Sequence, residues 1–330
     1  MGTDFVVLSL VPLAIGILVC VSCALLGNFL VLRRQSLIGD AVSHVVLPGI
    51  VGAFIVTGTV AAGAMLLGAG IAAVLAVLLI EIVRRVGRVE PGAAMGVVFT
   101  TFFAAGVLLL EQSDTSSVHL DVEHALYGNL ESLIWLAGSA GWAALLDPAA
   151  LAALPPQLPR LALVTFAVVL FLLVFWKELV IGTFDATFAE SVGARPGPVS
   201  FALIVMVAVA AVAAFDAVGS IIVIAMFICP PASARLMTDR LVPQLAWSVV
   251  FAVVSAIAGY VLAGYGPLWL GAAYSVSAAG MIATVAGLIL ALACLAGPRR
   301  FGTRTAARRR RPPPRRASHH QSSISNSLQV

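Results

Sequence analysis

Charged residues are scarce in this chain. Only 10% of its 330 residues are Asp, Glu, Lys or Arg, whereas 61% are hydrophobic and the mean hydropathy is +1.07. Soluble domains carry about 25% charged residues and about 45–50% apolar ones. A water-soluble fold of this size could not bury so much apolar surface. The composition excludes a soluble enzyme, a secreted disulfide scaffold and a disordered protein, and it predicts an all-α, polytopic transmembrane bundle.

Cysteine is also rare, with four residues that all lie in apolar runs. Cys20 and Cys23 form a C-x-x-C, a spacing that in soluble proteins suggests redox or zinc chemistry. No second pair exists in the sequence, so we interpret both thiols as small packing groups within a helix. The first twenty residues contain no basic residue. This argues against a cleaved signal peptide and for a first helix that stays in the membrane.

Two catalytic motifs are missing. No H-E-x-x-H occurs, which excludes an intramembrane zinc protease of that type. The single lysine, Lys177, follows Trp176 rather than a glycine, so the sequence contains no Walker A motif. The chain therefore cannot act alone as a P-loop ATPase, and we expect it not to be an enzyme. If it pumps, another polypeptide hydrolyses the ATP.

Nine apolar stretches approach or exceed the roughly 20 residues that a helix needs to cross a bilayer core. The run 199–237 is too long for one helix, and we divide it near Asp216 and Gly219, where a turn would lie. Eight is the alternative count. The nine predicted spans are 5–32, 38–57, 60–83, 92–110, 161–177, 199–214, 218–237, 243–264 and 269–296.

The basic residues predict the orientation of this bundle. With the N-terminus outside, all but one of the 19 Lys and Arg residues fall on the cytoplasmic side, and only Arg160 lies on the far side. This asymmetry follows the positive-inside rule. We therefore predict an outside N-terminus and a cytoplasmic C-terminus.

The end of the chain changes composition. Residues 299–330 are rich in arginine, proline and serine and lack apolar periodicity, so they cannot bury enough surface to fold. We predict a transmembrane domain over 1–298 and a basic, disordered cytoplasmic tail over 299–330. A basic residue near anionic headgroups contributes about 1 kcal/mol. Contact with membrane lipids is therefore favoured over nucleic-acid binding for this tail.

One predicted span carries ionisable residues, which cost about 2.5–3.5 kcal/mol at the centre of a membrane helix. Asp40 and His44 are four residues apart and share one helix face. Their oxygen and nitrogen atoms can converge on one divalent cation, and this mixture suits Mn²⁺, Fe²⁺ and Zn²⁺ better than Ca²⁺ or Cu⁺. On composition alone, an Asp–His hydrogen bond that orients helices without metal is an equal alternative.

Four segments of the chain resemble the ABC-3 family, the membrane permeases of bacterial ABC importers for manganese, zinc and iron(II). They are LLGNFLVLRRQSLIGDAVSHVVLPGI, LDVEHALYGNLE, WKELVIGTFDATFAESVGA and VGSIIVIAMFICPPASARLMTDRL. The resemblance covers most of residues 22–290 in the same order. It implies an ABC importer permease fold in the cell (inner) membrane, with a transported divalent metal and no permanently bound cofactor.

The resemblance also implies roles for individual residues. Asp40 and His44 match family residues that line the translocation path and contact the metal. Segment 178–194 matches a cytoplasmic coupling helix that docks on the nucleotide-binding subunit. Apolar and acidic residues at near-helical spacing independently predict one short amphipathic helix there, with a plain surface helix as the alternative. Its candidate contact residues are Glu178, Phe184, Asp185, Phe188, Glu190 and Gly193.

Segment 111–160, on the predicted outer side, is acidic. It contains a compact cluster that we interpret as an electrostatic funnel for cations, a transient metal site or a solvated loop that contacts a partner. The cluster consists of His119, Asp121, Glu123 and His124.

The family implies three protein partners: a cytoplasmic ABC ATPase subunit, an extracytoplasmic metal-binding protein and a second permease subunit, identical or not. An ion-gradient-driven divalent cation transporter or channel is the alternative function. It would show several intramembrane carboxylates and matched halves with broken helices, which this sequence lacks. The stretches V-G-S-I-I-V-I-A-M and L-Y-G-N-L-E resemble the manganese/iron branch more than the zinc branch, which favours manganese.

Overall fold

The computed structural model describes residues 2–58, 62–112, 130–193, 195–269, 271 and 276–297. These residues form helices and helical turns without a β-strand, so the predicted all-α class is confirmed. The predicted outer cluster from His119 to His124 and the tail 299–330 lie outside the described residues, as does the boundary at 298.

Long helices make up most of the described chain. Eight of them are apolar and at least 18 residues long, enough to cross most or all of a bilayer core. The helices are α1 (Val11–Leu32), which continues a short helix Gly2–Phe5 and a π-helical turn Val6–Leu10, α2 (Ile38–Thr57), α3 (Ala62–Gly87), α4 (Pro91–Gln112), α5 (Pro148–Ala152), α6 (Gln157–Val174), α7 (Trp176–Phe184), α8 (Ala186–Ser191), α9 (Pro196–Met237), α10 (Leu241–Trp269) and α11 (Ala278–Ala296). Short 3-10 helices occupy Leu130–Ser132 and Leu136–Leu146.

Helix α9 joins two of the nine predicted spans, which is why eight long helices are found. A straight helix of its 42 residues would be about 63 Å long, twice the thickness of a bilayer core. It is not straight, because Gly219 has φ 75° and ψ 174°. Glycine adopts this positive φ without the steric cost of a Cβ. Gly219 therefore separates two arms, 196–218 and 220–237.

The contacts of the two arms show that the chain reverses at Gly219. Before it, Ser200 accepts a hydrogen bond from Arg33, and after it, Phe227 lies against Gly27. Ser200 and Phe227 would be about 40 Å apart on a straight helix, whereas Arg33 and Gly27 are only about 9 Å apart along theirs. The division predicted at this glycine is confirmed, and α9 supplies two antiparallel segments of membrane length.

The two ends of the bundle differ in charge. One end, which we call the basic end, holds the C-terminal turns of α1 and α3 with Arg33, Arg34, Arg84 and Arg85. Of the basic residues that the structure describes, only Arg160 lies at the opposite end, where it pairs with Asp216 beside the reversal of α9. The charge distribution thus agrees with the prediction, and the side of the membrane that each end faces remains a prediction.

The last two predicted spans have different bounds in the structure. The predicted span 243–264 extends to Leu241–Trp269, and the predicted span 269–296 begins only at Ala278. The start is fixed by capping: the Ser277 hydroxyl accepts from the Gly280 N–H, and Glu131 accepts from the Ala278 N–H. Such caps satisfy amide groups that have no partner within the helix.

Helix α1 runs through the core. Cys20 and Cys23 on it are fully buried free thiols, in agreement with a packing role. Asn28 near its C-terminus is also fully buried; its Nδ2 lies 2.6 Å from Ser248 Oγ, and its Oδ1 accepts from Gln244 Nε2 at 2.9 Å. These hydrogen bonds join α1 to α10 and satisfy polar groups that have no access to water.

Segment 130–152 lies across the opposite end of the bundle. Its anchor is Trp135, which is fully buried. The backbone N–H of Trp135 donates to Val7 at 2.9 Å, and its indole N–H donates to Ala150 at 3.0 Å. The part of the predicted outer segment that the structure describes is therefore packed on the N-terminal turns of the chain.

Small residues set the spacing of α2, α3 and α4. A Cβ on Gly49 of α2 would collide with the carbonyl oxygen of Gly68 on α3, and a Cβ on Gly68 would collide with that of Gly49. A Cβ on Gly106 of α4 would come within 2.8 Å of Pro48. Glycines at such positions let helix backbones approach closely in a membrane. These glycines therefore determine the orientation of α2 relative to α3 and α4.

We expect Gly68→Ala to lower stability by about 1–3 kcal/mol, because overpacking forces the two backbones apart. Gly70→Ala is the matched control: its Cβ would meet nothing within 4 Å, and alanine favours the helix. Thermal unfolding of the full-length chain in detergent measures both. Equal unfolding temperatures for the two variants would contradict this packing.

Candidate functional site

Asp40 and His44 lie one turn apart near the start of α2, at the basic end. His44 Nε2 is 3.5 Å from Asp40 Oδ1, and the side chains are 37% and 35% exposed, respectively. Asp40 belongs to the first turn of α2, where the helix dipole favours a negative charge. The predicted pair therefore forms, and it lies at an open face of the bundle instead of in the core.

Two aromatic rings of α4 hold the imidazole of His44. Phe99 stacks on it with ring centroids 5.4 Å apart and an angle of 25°, and Phe103 meets it edge-on at 5.6 Å and 85°. Both are favourable geometries for ring pairs. Since the contact between Gly106 and Pro48 joins α4 to α2, helix packing orients His44.

The pair offers one oxygen ligand and one nitrogen ligand. In the part of the chain that the structure describes, no group of three or more His, Cys, Asp or Glu residues could hold a metal ion. Structural zinc sites use four protein ligands, whereas open sites use fewer and keep water in the remaining positions. The arrangement is thus suited to brief contact with a cation.

The predicted amphipathic helix at 178–194 is instead two short helices, α7 and α8. Asp185 separates them with an extended backbone, φ −151° and ψ 94°, and its side chain accepts the Phe188 N–H at 2.8 Å as the cap of α8. A carboxylate in this position stabilises a new helix start more than it favours the interior of one helix. Gly193 follows α8 with φ 81°. The single-helix prediction is wrong for this reason.

We call this two-helix segment (176–193) the coupling segment after its predicted role. It presents most of its predicted contact residues to the surface. The exposed ones are Phe184, Asp185, Phe188, Glu190 and Gly193. The sixth, Glu178, differs: its Oε2 is buried and has no hydrogen-bond donor among the described residues. Leu179 beside it is fully buried and anchors α7 to the bundle.

Arg33 connects the coupling segment to the membrane helices. Its Nε donates to Thr183 Oγ1 of α7 at 3.0 Å, and one terminal nitrogen donates to Ser200 Oγ of α9 at 2.8 Å. Partial burial lowers the pKa of the Arg33 guanidinium, because the charged form loses hydration. Arg33 directly follows α1 and lies five residues before α2, so it links α7 to the turn that leads to Asp40.

Phe99, Phe103 and the partners of Arg33 are functional candidates that the sequence alone does not reveal. Phe99 and Phe103 are four residues apart in a predicted span, which places them on one face. No signal in a single sequence tells which helix that face meets. Thr183 and Ser200 are ordinary small polar residues, and the fold alone brings them to Arg33.

The described chain has helices of membrane length, a reversal within α9 and a short polar segment at the basic end. These features define a multi-pass helical membrane protein. The chain belongs to the ABC 3 transport family, whose family model matches residues 8–134 and 149–297. The predicted family resemblance is thereby confirmed.

Several curated relatives match most of the chain. The manganese transport system membrane protein MntD of Bacillus subtilis (strain 168) is 38% identical over 295 residues, which are 87% of this chain and 91% of that protein. The zinc transport system membrane protein TroD of Treponema pallidum (strain Nichols) is 36% identical over 290 residues, 86% of this chain and 73% of that protein.

Solved structures share the fold. PsaBC from Streptococcus pneumoniae, in complex with Fab, superposes with a TM-score of 0.69 over 90% of this chain and 94% of that chain, at 24% identity. The predicted fold is confirmed by this likeness.

Proposed function

We propose that this chain is the membrane-spanning permease subunit of an ATP-binding-cassette importer that brings divalent transition-metal ions into the cytoplasm. The observation that carries the proposal is the Asp40–His44 pair on an open face of α2, in a member of this transport family. The relatives named for manganese and zinc transport support the class of cargo.

The chemistry of the pair suits this cargo. A divalent ion sheds part of its hydration in a narrow path, and the Asp40 carboxylate compensates for that loss with charge. His44 adds a nitrogen ligand, which Mg²⁺ and Ca²⁺ disfavour relative to transition metals. With two protein ligands and remaining water, the ion can also leave. The metal is the transported substrate and no resident cofactor is proposed.

Manganese is the cargo that we favour, with zinc and iron(II) as alternatives. The stretches that resemble the manganese/iron branch support this choice, as does the relative named for manganese. The two relatives differ by only two percentage points in identity, 38% and 36%, so identity alone does not separate the metals. Raw ligand affinity does not determine selectivity either.

We expect Asp40→Asn to reduce metal uptake to background, because it keeps the shape of the side chain and removes its charge. His44→Ala should strongly weaken uptake through the loss of the nitrogen ligand. Accumulation of Mn²⁺, Zn²⁺ and Fe²⁺ is measured in cells that lack their own importer and express each variant at equal membrane levels. The same series with the wild-type chain identifies the preferred metal.

The matched control for this experiment is Asp4→Asn, the same chemical change at the opposite end of the bundle. It should transport normally. Normal uptake by Asp40→Asn would contradict a ligand role, and it would leave an Asp–His pair that only orients α2.

We further propose that ATP hydrolysis resides on a separate cytoplasmic ABC ATPase and that the coupling segment docks on it. The exposed rings of Phe184 and Phe188 offer an apolar contact, and the exposed carboxylates of Asp185 and Glu190 offer acidic ones. Arg33 then transmits movement of α7 to the turn before α2.

A second permease subunit, identical or not, would face the open side of α2, and an extracytoplasmic metal-binding protein would dock at the opposite end.

Gly193→Ala should uncouple ATP hydrolysis from transport, because a side chain at φ 81° is strained and shifts the end of the coupling segment. Glu178→Lys should act in the same way by reversing a buried charge. Gly197→Ala is the control, since its Cβ would meet nothing within 4 Å and its φ is not positive. ATPase activity and metal uptake are measured with the complete complex in vesicles. Normal transport by both variants would contradict the coupling role and show that 176–193 is a plain surface segment.

The orientation of the bundle is testable with reporter fusions. A reporter joined after residue 330 should report the cytoplasm, and one inserted near residue 150, at the opposite end, should report the outside. The reason is the concentration of basic residues at one end. Reporters in the same compartment would overturn this topology.

A further inference from the structure

A polar cavity of about 450 Å³ opens at the basic end, and neither Asp40 nor His44 lines it. Its walls are the end of α1, the last turn of α3, the coupling segment and the start of α9. Among the described residues, its charged lining consists of four arginines and two glutamates: Arg33, Arg34, Arg84, Arg85, Glu81 and Glu190. The lining therefore carries an excess of positive charge.

Three of the four arginines of this cavity are held by hydrogen bonds, and their charge is only partly neutralised. Glu81 Oε1 accepts from both Arg84 at 2.9 Å and Arg85 at 2.6 Å, so one carboxylate serves two guanidinium groups. Thr183 and Ser200 hold Arg33 through neutral hydroxyls. Such a cavity favours an anion and disfavours a divalent cation, so it is unsuited to the proposed cargo.

The cavity continues into the bundle as a narrow apolar crevice. The crevice has a volume of only about 20 Å³, and it shares Gln35, Glu81, Arg84, Phe201 and Ile204 with the cavity. The rest of its walls include Val77 of α3 and Met95 of α4. Arg84 lies in the last turn of a helix of membrane length, which places the cavity near the level of lipid headgroups. Phe201 and Ile204 line the cavity as well as the crevice, so the basic mouth has an apolar wall that suits the first methylenes next to a charged headgroup.

We propose that this cavity binds the phosphate group of an anionic phospholipid headgroup, with the first acyl methylenes against Phe201 and Ile204. Basic pockets between membrane helices bind anionic lipid headgroups through the same combination of charge and position. A free phosphate ion would satisfy the arginines but would gain nothing from the crevice. A lipid in this place bridges α3, α9 and the coupling segment.

Native mass spectrometry of the delipidated full-length chain tests the proposal. The probes are dioleoyl-phosphatidylglycerol, dioleoyl-phosphatidylcholine with the same acyl chains, and inorganic phosphate. We expect Arg34→Gln/Arg85→Gln to weaken phosphatidylglycerol binding by about an order of magnitude or more, since two basic contacts are lost, and to abolish the preference over phosphatidylcholine. Arg88→Gln/Arg240→Gln removes the same charge outside the cavity and should retain that preference. The arginine-rich tail contributes equally to both variants.

A second variant tests the lipid independently of charge. Ile204→Trp fills the space beside the apolar wall of the cavity and should weaken phosphatidylglycerol binding while leaving competition by phosphate unchanged. Equal phosphatidylglycerol binding by the two double variants would overturn the proposal. If phosphate displaced phosphatidylglycerol and Ile204→Trp had no effect, the cavity would be an anion site without a lipid. Thermal unfolding shows that each variant is folded, and a misfolded double variant leaves Ile204→Trp to decide.

Discussion

A polar group within a bilayer core has no water to pair with, and this constraint separates structural from functional residues in the chain. Asn28 shows the structural solution: it is fully buried, and Gln244 and Ser248 satisfy its amide. Asp40 and His44 lie 12 and 16 residues further along the chain, beyond the turn between α1 and α2, and remain more than a third exposed in the isolated chain. A pair that served only to orient helices would gain most from burial, where its hydrogen bond is strongest. The exposure of the pair instead favours brief contact with a transported ion.

Arg33 explains how a change at the surface can reach that pair. Its guanidinium contacts α7 and α9, while its backbone belongs to the turn between α1 and α2. α1 is held in the core by the Asn28 hydrogen bonds, and α2 is held by close glycine contacts with α3. The turn between them connects these two helices and carries the Arg33 contacts with α7 and α9. A displacement of the coupling segment would act there first, at the start of the helix that carries Asp40 and His44.

Much of this architecture could be predicted from the sequence because a bilayer demands long apolar helices. The spans followed from hydropathy, and the reversal of α9 followed from the length of its apolar run and from Gly219. The coupling segment was predicted as one helix because spacing alone ignores that Asp185 caps α8. The rings around His44 could not be predicted, because the rotation of α4 depends on the contact of Gly106 with Pro48. Local sequence patterns predict the helices and their faces, whereas close packing between helices determines which faces contact each other.

The proposed metal path and the proposed lipid site bear on one another through charge. If the basic end faces the cytoplasm, a cation released from Asp40 and His44 leaves through the end where Arg33, Arg34, Arg84 and Arg85 gather. Their repulsion is felt over about 8 Å at physiological ionic strength and raises the barrier to exit. Glu81 offsets only part of this charge, since it serves two arginines. An anionic headgroup between them would offset more of it and would also tie α9 to the coupling segment. Release of the cation past the arginines of the basic end would thus depend on the charge of the bound lipid.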